Sequence, residues 1–163
     1  HLMMAPLRIL EAVEFPEYKG RIYVNIDDTG LGGGITDRLK EVKREQKLNR
    51  LFIIPINAAE KIETDTKEGK EAADHYNNLT THMWAVLREL MENKEIEIED
   101  DSETFAQLST RKYFMASNGK MELESKKEMK KRGVSSPDRA DAAALSVYLG
   151  KVKKYSSSQE TRQ

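Results

Sequence analysis

Apolar positions crowd together in "RIYVNID" (residues 21–27), recur as Ile35, Leu39 and Val42 at helical spacing through about Gln46, and run unbroken again in "NRLFIIPI" (49–56). Short continuous apolar runs mark strands covered on both faces, and a three-to-four spacing marks a helix. The order predicts strand, glycine turn, helix, strand: a βαβ unit with a parallel strand pair. A polar connection over 57–71 then leads into a long helix from about Ala72 to Glu92, its stripe formed by Tyr76, Leu79, Met83, Leu87 and Leu90 and widened by Trp84 and Val86. "EIEIE" (95–99) predicts a short strand and 102–108 a short helix. "RKYFMA" and "KMELE" predict a hairpin across Ser117-Asn118-Gly119, where Asn-Gly supplies the positive φ a tight turn needs. A last helix is expected from Ser136 as N-cap and Pro137 as its first residue to about Leu149.

Length and composition narrow the classes. The 163 residues suit one domain, and 27 basic against 28 acidic residues name no partner by net charge. With no cysteine, a disulfide scaffold, a thiolate zinc site and a cysteine nucleophile are excluded, and a reducing compartment, the cytosol by default, is expected. No apolar run approaches the roughly 18 residues of a membrane span, and "HLMMAPLR" lacks the apolar segment of a signal peptide. The opening "HLM" resembles a cloning scar. The expected layout is an N-terminal segment 1–20 with at most one strand in "LRILEAVEF", one α/β domain over 21–150, and a polar tail 151–163 with the composition of a disordered end.

The glycine cluster "DDTGLGGG" raises the possibility of a phosphate cradle. A P-loop needs a lysine directly after its last glycine, and none follows until Lys40. The dinucleotide fingerprint fails at its sixth position, which is Ile35, and two aspartates at the strand end would repel a pyrophosphate. The glycines are expected to let the chain turn and the helix lie close on the strand. Asp27 and Asp28 remain, at the end of a parallel strand where α/β proteins place ligands. An Asx turn or helix cap is the alternative for them. In "SSPDRADAAAL", Asp138 falls in the first helical turn, where a carboxylate complements the helix dipole. Asp141 lies past the capping positions, on one face with Asp138, Leu145 and Tyr148. A carboxylate on a packed face costs free energy unless it is paired or binds a cation.

With "VNIDDTGLGGGITDRL", "LFIIPIN", "HYNNLTTHMWAVLRELMENKEIEIEDD", "LSTRKYFMASNGKMELESKKEMKKRG" and "SSPDRADAAAL" in this order, residues 21–150 resemble the nuclease domain of the large terminase subunit of tailed bacteriophages. The resemblance implies an RNase H-like α/β fold, a central mixed sheet flanked by helices, and a metal-dependent endonuclease cutting concatemeric DNA during genome packaging in the bacterial cytoplasm. It implies a two-metal Mg²⁺ or Mn²⁺ site with Asp27, or its neighbour Asp28, and Asp138 and Asp141 as ligands. It further implies double-stranded DNA, a terminase motor domain, a small terminase subunit and a portal as partners, and no membrane. In that family a strand carrying the first catalytic aspartate precedes the segment "RIYVNID". Here about twenty residues precede it, with Glu11, Glu14 and Glu17 as their acids, so the domain is expected to be truncated and to lack its first strands. An uncovered sheet edge would then favour self-association. No Walker lysine motif occurs, so pumping is not expected of this chain.

The stretch 111–133 sets eight basic residues against Glu122, Glu124 and Glu128. Its Lys126, Lys127, Lys130, Lys131 and Arg132 are the candidates for holding DNA phosphates, against the plain alternative of a solvated charged face. His75 and His82, seven apart, are too distant for the adjacent-turn pair of a metal site. Neutralising Asp27 or Asp141 is expected to spare folding, because it would relieve repulsion among crowded carboxylates. Two rival functions stay open: a catalytically incompetent remnant that binds DNA or oligomerises, and a junction-resolving nuclease of the same fold.

Overall fold

The computed structural model describes residues 19–29, 32–98 and 100–150. The possible strand in "LRILEAVEF", the acids Glu11, Glu14 and Glu17, and the polar tail lie outside them. The contacts divide the chain into two compact units, one holding the described residues up to Ala58 and the other spanning Ala59–Gly150.

The first unit is the expected βαβ motif. Strand β1 (Ile22–Asp27), helix α1 (Gly32–Glu45) and strand β2 (Leu51–Ile56) follow in order, and β1 pairs with β2 in parallel, from Ile22 opposite Leu51 to Asp27 opposite Ile56. Ile26, Leu39, Leu51 and Ile53 form its buried centre, with Ile22, Val24, Ile35 and Leu48 packed around them. The apolar positions of all three elements thus meet in one place, which is what fixes the pairing register. At two of the glycines the expected close approach of helix to strand is not found: a Cβ added at Gly34 would meet nothing within 4 Å, and one at Gly33 only the Asp28 carboxylate at 3.9 Å.

In the second unit the single long helix of the sequence pattern is two. Helix α2 runs from Lys67 to His75 and α3 from Leu79 to Glu92. The break is chemical: Tyr76 is extended, and Asn78 adopts an extended backbone and accepts from Thr81 N at 2.9 Å as the N-cap of α3. The freed backbone is used elsewhere, with Asn77 N donating to Met121 O at 2.9 Å. Helix α2 also begins inside the expected polar connection, capped by Thr66, which accepts from Gly69 N at 3.0 Å.

Residues 95–98 form no strand, which corrects the reading of "EIEIE". Alternation alone does not make a strand; a ladder needs a partner, and among the described residues none pairs with this segment. Helix α4 (Ser102–Thr110) and the antiparallel hairpin of β3 (Tyr113–Met115) and β4 (Met121–Leu123) match expectation, with Gly119 at φ +78° in the turn.

Helix α5 (Lys126–Lys131) was not expected. Ser125 and Glu128 form a reciprocal capping box at its start. At its end Gly133, at φ +74°, lets Val134 N reach Met129 O and Gly133 N reach Lys130 O, each at 3.0 Å. Helix α6 spans Asp138–Ser146 and starts one residue later than expected, with Pro137 at the cap position and no side-chain cap of its own. The missing cap is supplied by α4: Gln107 Oε1 accepts from Arg139 N at 2.9 Å and Ala140 N at 3.2 Å. Ala140 and Ala144, one turn apart and fully buried, provide the small face by which α6 packs on α3 and α4. Among the described residues no helix is long and apolar enough to cross a membrane.

Candidate active site

Asp27 closes β1 and is exposed. Its Oδ1 accepts from Thr29 N at 3.0 Å, so the Asx turn weighed from the sequence is present. Asp28 continues the ladder by donating its N–H to Ile56 O at 2.9 Å, and its Oδ1 accepts from the buried Thr36 hydroxyl at 2.8 Å. The first acid therefore faces solvent, and the second is tied to α1.

Asp138 and Asp141 lie in the second unit, one turn apart on α6, and the structure brings them together on one cation. Lys126 Nζ stands 3.1 Å from Asp138 Oδ1 and 2.8 Å from Asp141 Oδ2. Burial works against the Lys126 charge, but hydrogen bonds to Asp141 and Asp138 outweigh it and hold the ammonium above its ordinary pKa. Asp138 is pulled below the usual aspartate value by the Ser136 hydroxyl, which donates at 2.6 Å, and then by Lys126.

The other oxygen of Asp141 is engaged from behind. Its Oδ1 accepts from Arg111 Nη1 at 2.7 Å and from Trp84 Nε1 at 2.8 Å. The Arg111 side chain is only 5% exposed and its guanidinium sits 4.9 Å from the centre of the Trp84 ring. Asp141 thus faces two cations, Lys126 and Arg111, and shares the first of them with the Asp138 carboxylate.

A second ion pair braces the same region. Arg132 clasps the buried Glu124 with two bonds, Nε to Oε1 and Nη2 to Oε2, each 2.6 Å, and its Nη2 also donates to Thr110 O at 3.1 Å. The Arg132 hydrogen bond, helped by the backbone N–H of Lys112, holds the Glu124 carboxyl down to about 2. A carboxylate with a depressed folded pKa stabilises the fold fully above its unfolded value, near 4.5, and loses that contribution as pH falls toward about 2. Acid unfolding of the wild type should therefore show a loss of stability within that window which Glu124→Gln lacks. Equal pH dependence of wild type and Glu124→Gln in urea titrations would contradict this.

Lys127, Lys130 and Lys131 are exposed on α5. His75 lies on α2, while His82 on α3 stacks on Tyr76, with ring centres 5.3 Å apart, and meets Tyr148 edge-on at 5.9 Å. Burial lowers the His82 pKa.

In sequence, Trp84 reads only as part of a helix stripe, and Arg111 and Glu124 only as members of a charge run, none of them as a partner in a site. Their partners lie 57, 30 and 8 residues away along the chain, and no local pattern signals such pairs. Helix α5 did have a signal, the Ser-x-x-Glu of its capping box followed by Gly133.

The acids that converge on Lys126 present only carboxylate oxygens, the donor class preferred by Mg²⁺ and Mn²⁺. Two carboxylates that share one ammonium at 2.8 and 3.1 Å put donors of that class on one cation position, so the chemistry of these residues suits such an ion while supplying only part of the oxygens it takes.

No protein-family model and no curated protein sequence matches the chain. Solved structures do. The nuclease domain of the large terminase subunit gp2 of bacterial virus Sf6 superposes with a TM-score of 0.61 at 19% identity, over 88% of this chain and 70% of that one. A lysine-to-alanine variant of that domain, solved with manganese and β-thujaplicinol, gives a TM-score of 0.65 at 19% identity over 90% of this chain and 72% of that one. The variant with manganese alone gives 0.62 over 88% and 71%. By these likenesses the chain has the α/β, RNase H-like fold of a phage large-terminase nuclease domain.

Proposed function

We propose that this chain is the metal-dependent, DNA-cleaving part of a phage or prophage packaging terminase, hydrolysing phosphodiester bonds of concatemeric double-stranded DNA in the host cytoplasm. The observation that carries the proposal is the convergence of Asp138 and Asp141 on one cation position, now held by Lys126. The fold likeness supports it, as does the manganese with which two of the neighbours were solved. In this reading the ligands of Mg²⁺ or Mn²⁺ are those the family resemblance implies, Asp27 or failing that Asp28, and Asp138 and Asp141. Such ions would activate water and stabilise the leaving oxygen of a phosphodiester. The chain's own residues do the rest. Arg111 and Trp84 fix the orientation of Asp141, Ser136 fixes Asp138, and Lys126 neutralises the two acids while no metal is bound. A motor domain, a small terminase subunit and a portal are the partners this role requires, and an uncovered edge of the parallel pair would serve self-association.

Plasmid cleavage tests the proposal. Nicking that is weak, or visible only with Mn²⁺, is expected, because Mg²⁺ demands the more complete ligand set, with none in EDTA and none in Asp27→Asn or Asp138→Asn. The second reading, a DNA-binding or oligomerising remnant without catalysis, is favoured by one observation: each of the four acids already accepts a hydrogen bond from a protein donor. Absence of cleavage with either metal, in a chain that still binds duplex, would decide for that reading.

A further inference from the structure

Behind Asp141, the second unit holds a cavity of about 500 Å³ between α3, α4 and the hairpin, lined mainly by apolar side chains, Trp84, Phe105 and Tyr113 among them. Its size lies within the roughly 300–1,000 Å³ of small-molecule pockets. Among the described residues of its wall, the cations Arg88 and Arg111 have partners, Glu92 at 3.2 Å and Asp141 at 2.7 Å. These described walls therefore offer an ionic ligand no unmatched cation, while their rings offer faces and edges for an aromatic one. Two of its wall residues, Trp84 and Arg111, are the donors to Asp141 Oδ1.

We propose that this cavity binds a compact, uncharged aromatic molecule, and that its occupancy is transmitted to Asp141 through Trp84 and Arg111. An occupant packing on the indole competes with the guanidinium that lies 4.9 Å from the ring centre and alters both hydrogen bonds to Oδ1. The orientation of Asp141 toward Lys126 then depends on what fills a pocket on its other side. The inference does not rest on the nuclease reading, because binding and the state of a carboxylate are measured without cleavage.

The neutral probe N-phenyl-1-naphthylamine, titrated into the full chain, tests it. Trp84 is the single tryptophan, so energy transfer to the probe reports its binding to the chain, and the methyl shifts of the lining place it at this wall. Saturable one-to-one transfer is expected, with methyl resonances of Leu108, Met91 and Met121 and the Asp141 carboxylate resonance shifting together. Ala85, also in the lining, gives the blocking variant: Ala85→Phe should fill the cavity and weaken the probe about ten-fold or more. Unsaturable transfer, or unchanged affinity in an Ala85→Phe protein with wild-type circular dichroism, would overturn the site. If that variant does not fold, the methyl shifts of the unaltered chain decide, and shifts outside the lining refute the assignment. Methyl shifts without a response of Asp141 would overturn the coupling. Exclusion of the probe by concentration-dependent dimerisation would show instead that a second copy occupies the cavity.

Discussion

Asp141→Ala is expected to lower folding stability by about 3 kcal/mol, as well as to remove a proposed metal ligand. The reason lies in its partner. Arg111, only 5% exposed, keeps its charge in a desolvated place chiefly because Asp141 stands 2.7 Å away; without that carboxylate the buried guanidinium keeps its Nε bond to Glu124 O at 3.0 Å and the more distant Glu124 charge but loses its direct ion pair. Burial already depresses the Arg111 pKa even with Asp141 present. Trp84 Nε1 would lose its acceptor at the same time. Urea unfolding of wild type, Asp141→Ala and the double variant Asp141→Ala/Arg111→Met measures this, and the double variant should recover much of the loss because no unpaired charge remains. A single-variant loss below about 1 kcal/mol would mean that solvent or another acid compensates Arg111. The outcome matters for catalytic tests: Asp141→Asn keeps an acceptor for both donors and is the safer probe of cleavage, whereas a cleavage defect in Asp141→Ala mixes lost chemistry with lost stability.

Replacing Lys127, Lys130 and Lys131 by alanine is expected to weaken binding to any duplex alike and to reduce the slope of log affinity against log salt by about three. These ammonium groups are exposed on one short helix, so each can neutralise a phosphate without reading a base. Lys126 behaves differently in this account. Its charge is spent on Asp138 and Asp141, so Lys126→Ala should change the salt slope little while taking the cation from Asp138 and leaving Asp141 to Arg111. Arg132 is likewise engaged, by Glu124, and Arg132→Ala should act on stability before it acts on DNA. Fluorescence anisotropy with two unrelated duplexes, over a range of salt, separates these cases. A triple variant with the wild-type slope would rule this helix out as a phosphate-binding face.

What could be read from the chain and what could not divide along one physical line. Periodicity and turn chemistry are local, and they placed β1, α1, β2, the Asn-Gly hairpin and α6 in order, with Asp27 at a strand end and Asp138 and Asp141 on one helical face. The same local rules contained the cap at Asn78 that splits α2 from α3 and the capping box that starts α5, although a continuous apolar stripe and a run of lysines drew attention away from both. The strand expected at "EIEIE" failed because pairing needs a second strand, which no local pattern supplies.

The character of the site was decided only in three dimensions. An acid on the face of an alanine-rich helix looks the same in sequence whether a metal, a lysine or a buried arginine answers it. Lys126, Arg111 and Trp84 reach Asp141 across 15, 30 and 57 residues, and those meetings depend on how α3 and α4 pack on α6 and on where the chain then holds Arg111 and Lys126. The sequence by itself determined which carboxylates stand at the strand end and on the helix face, because spacing sets direction along a regular backbone. Tertiary packing alone determined their charge environment, because the Coulomb and desolvation terms depend on distance through space and on burial, neither of which is written into the order of residues.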